Sequence, residues 1–222
     1  MDIMNKEDQN SIIRLIKEQI EQRIRQKYNW KRKIAFSIML LKKRLSRIFL
    51  LTNPCGKCFI SKPNTGELGT DELGRDIALY LKKYASLLRK RRVKLHTLIV
   101  LGSRAKGRGK PESDVDIMII ASDLPGRSTP EFTNAVQKIL NIRRNFLLTD
   151  APLFIGVEPT ACSREEFLQW LKEFKVVALD AIYYGKVIYD DGFWKMVLQY
   201  FRKIEKKYGL NKTKIKEMLS VL

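Results

Sequence analysis

The sequence predicts an α/β (α+β) fold: a small mixed sheet flanked by helices, with a helical N-terminal extension and C-terminal helices. Two observations carry this. Short apolar runs rich in β-branched residues, at 95–101 and 115–121, fit buried strands. Longer stretches with apolar residues at helical spacing lie before, between and after them, so helices and strands alternate along the chain.

From the N-terminus, no Pro or Gly occurs before Pro54. Ile16, Ile20, Ile24 and Tyr28 recur every four residues, and Ile34, Ile38, Leu41, Leu45 and Ile48 continue the spacing. One long helix, or two broken near Asn29, is expected over 10–51. Pro54, Gly56, Pro63, Gly66 and Gly69 mark 52–70 as a loop or linker, and the main domain boundary is placed there. Residues 71–91 read as a helix with Ile77, Leu81, Tyr84 and Leu88 on one face. The first strand follows and stops at Gly102; 115–121 is the second. A helix opens at Thr129-Pro130, with proline at its first position, and reaches about Leu148. The run 153–157 is expected as the third strand. Ser163 and Glu166 have capping-box spacing and start a helix that Gly185 ends. An extended piece at 187–189, a turn at Asp190-Asp191-Gly192 and two basic helices divided near Gly209 complete the chain. The expected organisation is a basic helical extension over 1–51, a linker over 52–70, the main α/β domain over 71–192 and basic C-terminal helices over 193–222.

Charge narrows the partners. Forty-three Lys and Arg against 24 Asp and Glu give a net charge of +19, which favours polyanions: chiefly nucleic acid, RNA first, and also nucleoside triphosphates or anionic membrane. Residues 1–50 alone carry thirteen basic and five acidic side chains, so removing 1–70 is expected to leave a folded domain with a weaker hold on polyanions. Three cysteines, an odd number, argue against a secreted disulfide scaffold. With no signal-peptide pattern and no apolar run long enough to span a bilayer, a cytoplasmic protein without membrane partners is expected. Cys55 and Cys58 have zinc-knuckle spacing but lack two further ligands nearby, and read as free thiols in a loop. His96, the only histidine, reads as a packed strand residue, and Trp30, Trp170 and Trp194 as core residues.

The chemistry concentrates between Leu101 and Asp116. A strand ends in Gly102-Ser103; Arg104, Lys106, Arg108 and Lys110 follow within a glycine-containing loop; Ser113, Asp114 and Asp116 enter the next strand. A Gly-Ser corner opening a helix can hold phosphate oxygens through backbone N–H groups and the hydroxyl. Asp114 and Asp116, two apart on a strand, leave the same face, and two adjacent carboxylates repel unless a cation lies between them. Magnesium takes such ligands together with substrate phosphates. Further along, Glu158 precedes Pro159 and so favours extended geometry at the end of the third strand. Asp150, the competing carboxylate, reads as a turn former.

The block Gly102-Ser103-Arg104-Ala105-Lys106-Gly107 followed by Ser113-Asp114-Val115-Asp116 resembles the minimal nucleotidyltransferases of the DNA polymerase beta-like superfamily, of an archaeal type. Val157-Glu158-Pro159 with Ser163-Arg164-Glu165-Glu166-Phe167, and Leu179-Asp180-Ala181 with 185–190, resemble that family's later segments. The likeness covers about 75–195. It implies transfer of a nucleoside monophosphate from a triphosphate, ATP first, to an acceptor hydroxyl, with pyrophosphate released. It implies two Mg2+ ions, with Mn2+ as the alternative, held by Asp114, Asp116 and Glu158 as the catalytic and metal-binding residues. Gly102, Ser103, Arg104, Lys106 and Ser113 are the expected nucleotide contacts. The charge turns the expected acceptor toward RNA. Two other readings stand beside this one: an antitoxin-type nucleotidyltransferase that modifies or binds a small helical toxin, and a catalytically idle RNA-binding module.

Overall fold

The computed structural model describes the backbone of residues 6–45, 68–71, 74–111, 113–122, 124, 130–149 and 157–221; within the first helix it describes side chains over 7–26. Four strands form one mixed sheet: β1 (Leu95–Val100), β2 (Val115–Ala121), β3 (Val157–Cys162) and β4 (Lys186–Asp190), in spatial order β3-β2-β1-β4. β1 is antiparallel to both β2 and β4, whereas β2 and β3 run parallel. The helices are α1 (Lys6–Leu45), α2 (Ile77–Lys90), α3 (Gly102–Ala105), α4 (Pro130–Thr149), α5 (Arg164–Lys172), α6 (Val176–Tyr184), α7 (Phe193–Tyr208) and α8 (Lys212–Leu219).

Alternation along the central strands divides the core in two. Val115, Ile117, Ile119 and Ala121 of β2 join Leu98 and Val100 of β1 and Val157 and Ala161 of β3 on one face, where α2 supplies Ile77, Leu81, Tyr84 and Leu88 and α4 supplies Ile139 and Ile142. Met118 and Ile120 point the other way with Ile99 and Cys162, onto Phe167, Leu179, Trp194, Phe201 and Ile215 of the later helices. This is the expected mixed α/β layering. The Ser163 cap also forms, its hydroxyl accepting from the Glu166 N–H at 3.0 Å.

Two expectations are corrected. The third strand, expected over 153–157, continues from Val157 to Cys162; residues 150–156, Asp150 included, lie outside the described residues. Among the described residues β3 pairs with β2 alone and so lies at a sheet edge, where proline inside a strand is tolerated. Arg143 of α4 fixes the start of this edge by donating to the Val157 carbonyl at 2.6 Å.

The second correction concerns the N-terminus. Ile12, Ile16 and Ile20 of α1 are buried in the second core cluster, and the Gln19 side chain accepts from the Val176 N–H that opens α6. At the far end of the expected linker, Leu68 is buried in the first cluster. The first half of α1 and residues 68–70 therefore complete the folded unit. Trp30, the remainder of the basic apolar stripe, Cys55 and Cys58 have no described side chains.

At the sheet end where β1 begins, His96 shares hydrogen bonds with Asp191 and Ser122, and the Asp191 carboxylate also accepts from the Phe193 N–H that starts α7. His96 is thus a packed residue that ties β1, the turn after β2 and the entry to α7.

Because Ile16 is fully buried among residues far away in sequence, Ile16→Ala should destabilise the whole domain by about 2–5 kcal/mol. Urea unfolding followed by circular dichroism checks this; an unchanged midpoint would mean that α1 is dispensable to the fold.

Candidate active site

β1 ends at Val100, and the chain turns sharply into α3. Gly102 has φ of +67°, a region that L side chains rarely adopt, and a Cβ there would lie 2.1 Å from Asp116 Oδ2. Only glycine lets the turn approach the carboxylate this closely. The Leu101 N–H donates to the Asp116 carbonyl at 2.8 Å, so the turn and the start of β2 are also joined through backbone. Ser103, partly exposed, occupies the first turn of α3.

The parallel register then supplies the third carboxylate. Val115 pairs with Val157 and Asp116 with Glu158. Paired residues in neighbouring strands project to the same side, and both Val115 and Val157 lie in the first core cluster. Asp116 and Glu158 therefore stand side by side on the opposite face, with Asp114 two residues earlier on β2. Asp114 and Glu158 are exposed and Asp116 is partly so, at the sheet end where the buried stripe stops. Three carboxylates and the Gly102-Ser103 turn thus share one end of the sheet.

Charge in the loop is distributed differently from the expectation. Arg104 is 2% exposed. Its guanidinium donates to the carbonyls of Lys110 at 2.7 Å, Pro111 at 3.0 Å and Ser113 at 2.8 Å, and more distantly to Leu68 and Thr70, each at 3.4 Å. Gly109 is glycine because a Cβ would lie 2.4 Å from Arg104 Cγ. The Ser113 hydroxyl accepts from the Lys110 N–H at 2.9 Å and closes the same loop. Lys106 is also turned inward: its Nζ lies 2.8 Å from Asp180 Oδ1, with both side chains almost fully buried, and donates to the Leu219 carbonyl at 2.8 Å. Burial pushes the Lys106 ammonium below its ordinary pKa, against the opposing pull of Asp180. Arg104, Lys106 and Ser113 were expected as nucleotide contacts. The structure assigns Arg104 and Lys106 to the loop's own architecture and uses the Ser113 hydroxyl to pin its turn. Arg108 and Lys110 remain exposed.

A family model for the nucleotidyltransferase domain matches residues 81–210, more than half of the chain. The chain belongs to the nucleotidyltransferase family. A protein of Methanocaldococcus jannaschii, MJ1305, a protein adenylyltransferase by name, is 30% identical over 114 residues, which cover 51% of this chain and 71% of the relative. Two solved structures are also similar. A toxin–antitoxin with AMP-PNP aligns with a TM-score of 0.35 at 16% identity, covering 57% of this chain and 89% of that one. The toxin–antitoxin MntA–HepT aligns with a TM-score of 0.33 at 16% identity, covering 57% and 88%.

The sequence reading of this nucleotidyltransferase missed one buried group beside the turn. Asp180 lies in the apolar helix α6, 3% exposed, and besides its ion pair with Lys106 its Oδ2 accepts from the Gly102 N–H at 3.4 Å. A signal was present: a lone carboxylate inside an otherwise apolar helix must find a partner. No helix among the described residues is long and apolar enough to cross a membrane.

Arg104→Met should destabilise the enzyme by about 3 kcal/mol or more, because it leaves buried carbonyls without donors. Thermal unfolding measures this. A variant with wild-type stability but a raised KM for triphosphate would restore Arg104 to the substrate.

Proposed function

We propose that this nucleotidyltransferase moves a nucleoside monophosphate, AMP first, from a magnesium-bound triphosphate to a hydroxyl on a macromolecular acceptor. The observation that carries the reading is the register pair Asp116–Glu158 on the face where Gly102 presses against Asp116. In our reading Asp114 and Asp116 bind the cations, Glu158 serves the cation on the acceptor side, and Ser103 with neighbouring N–H groups holds the β- and γ-phosphates.

The donor set suits magnesium. All three side chains offer hard oxygen ligands. Among the described residues no three His, Cys, Asp or Glu side chains gather into one ready cage. Magnesium usually keeps one or two carboxylates and takes the rest of its shell from phosphates and water. Bound there, two magnesium ions, or manganese in their place, would neutralise phosphate charge and acidify the acceptor hydroxyl. The chain's residues do the positioning. The turn would hold the leaving phosphates, and the carboxylates, by holding the cations, would keep the α-phosphate in line with the acceptor oxygen; that oxygen would lose its proton to water and bond to the α-phosphorus while pyrophosphate departs with the electrons of the broken P–O bond.

The acceptor is assigned to a protein hydroxyl, by analogy with the protein adenylyltransferase to which the chain is 30% identical. RNA is the second reading, favoured by the net charge of +19 and by seven Lys or Arg with no Asp or Glu over 27–45. Incubating the enzyme with magnesium, each α-labelled triphosphate, and total cellular protein or RNA decides between them by which fraction takes the label. Label in neither would refute the macromolecular acceptor.

Asp114→Asn and Asp116→Asn should each abolish transfer while leaving the protein folded, since neither carboxylate is part of the apolar core. Near wild-type turnover at saturating magnesium would sink the assignment. For Glu158→Gln the expected loss is larger in kcat than in triphosphate binding, because its role lies with the acceptor. Equal losses in both, measured by steady-state kinetics and equilibrium binding, would remove it from that role.

A further inference from the structure

The Gly102-Ser103 turn is held from below by residues that the proposed chemistry does not use. Asp180 presents one oxygen to each end of α3. Oδ2 accepts from the Gly102 N–H at its start, and Oδ1 pairs at 2.8 Å with Lys106, immediately after its end. Lys106 is held in turn by the Leu219 carbonyl at the end of α8 and lies over the Tyr184 ring, 5.1 Å from its centroid. The Tyr184 hydroxyl donates to the Lys216 carbonyl at 2.8 Å, which ties α6 to the same helix. On its other side Gly102 has no room for a Cβ against Asp116. A contact chain therefore runs from Lys106 through Asp180 and Gly102 to Asp116.

We propose that Asp180 is a positioning residue for triphosphate binding: it sets where the Gly102-Ser103 turn sits relative to Asp116, and Lys106 serves to hold Asp180 in that pose. The inference rests on the reading of Ser103 and Asp116 given above. Its physical basis is that the turn is only four residues long and receives no side-chain N-cap from Leu101. The Gly102 N–H needs an acceptor inside the protein, and among the described residues it donates to a carboxylate from a helix 78 residues away in sequence. A carboxylate buried at 3% exposure would be costly alone, and Lys106 makes it tolerable and fixes its rotamer. The pair thereby converts the packing of α6 and α8 into the height of the turn above the carboxylates. That height decides whether the Ser103 hydroxyl and the neighbouring backbone N–H groups reach the triphosphate's oxygens, so it matters to binding.

Removing one member of the pair leaves the other as a lone buried charge, which confounds folding with function. Two double variants avoid this. Lys106→Met with Asp180→Asn is neutral and keeps a carbonyl oxygen for the Gly102 N–H; Lys106→Met with Asp180→Leu is neutral and removes that acceptor. Both lose the bond to Leu219 equally. Binding of α,β-methylene ATP with magnesium is measured for each full-length double variant and the wild type, beside thermal unfolding. The asparagine pair should bind within about threefold of wild type, and the leucine pair about tenfold more weakly at similar stability, the loss expected from one hydrogen bond. KM for triphosphate should move in parallel, with kcat changing less. Equal affinities for the two folded double variants would reduce Asp180 to a filler of space and overturn the proposal. A wild type that binds the analogue while the two variants match refutes only this inference; a wild type that binds no triphosphate refutes the functional reading and the inference with it. Should the leucine pair unfold, amide hydrogen exchange decides. Protection of the Gly102 N–H in wild type and the asparagine pair supports the proposal, and exchange in wild type at the rate of an exposed amide overturns it.

Discussion

A single buried guanidinium shapes the end of the sheet where the carboxylates stand. Arg104 donates to carbonyls from 110–113 on one side and from Leu68 and Thr70 on the other, so a loop with little apolar content closes around a polar hub. Desolvating a cation is expensive, and charge-assisted bonds with good geometry are what offset it. The fixed fork of an arginine suits this task because it can address several carbonyls at once. Because the loop is closed, Asp114 and Asp116 enter β2 at a defined height. The parallel register with β3 then brings Glu158 beside Asp116. The carboxylate edge thus inherits its position from an arginine that is itself 2% exposed.

Much of this was legible in the sequence. The apolar runs marked β1 and β2 closely, and the alternation of Asp114 and Asp116 with Val115 predicted a shared face. The end of the third strand was set too early because the apolar run stops at Val157, whereas the strand continues through Glu158, Pro159 and Thr160. Such a strand works only at a sheet edge, and edge position follows from the order of strands, which no local pattern encodes. The pairing of Asp116 with Glu158 is likewise a matter of register.

The N-terminal helix was misjudged for a geometric reason. Isoleucines every four residues advance 400° per step on a helix of 3.6 residues per turn, so the stripe drifts by roughly 40° each time. Ile12, Ile16 and Ile20 stay within the buried arc, while Ile24 has turned out to 42% exposure. The repeat looked continuous in sequence, but only its first part meets the core. The glycines and prolines of 52–70 suggested a boundary, although a linker's composition says nothing about whether the segment before it packs back on the domain.

The same distinction between charge and reach applies to the loop cations. Four basic residues within seven positions suggested four hands for a triphosphate, yet Arg104 and Lys106 are turned inward, and only Arg108 and Lys110 are left at the surface. Burial does not remove a guanidinium's charge. It takes the group out of direct contact with substrate while leaving its field in place, less screened by water than a surface charge would be. Lys106 differs, because Asp180 neutralises it locally, so its contribution is geometric where that of Arg104 is both geometric and electrostatic. The turn at Gly102-Ser103 therefore lies against one interior cation and one interior ion pair. On the proposed function, preorganised charge of this kind would need no rearrangement when phosphate oxygens come in, whereas flexible surface lysines would have to be ordered at that moment.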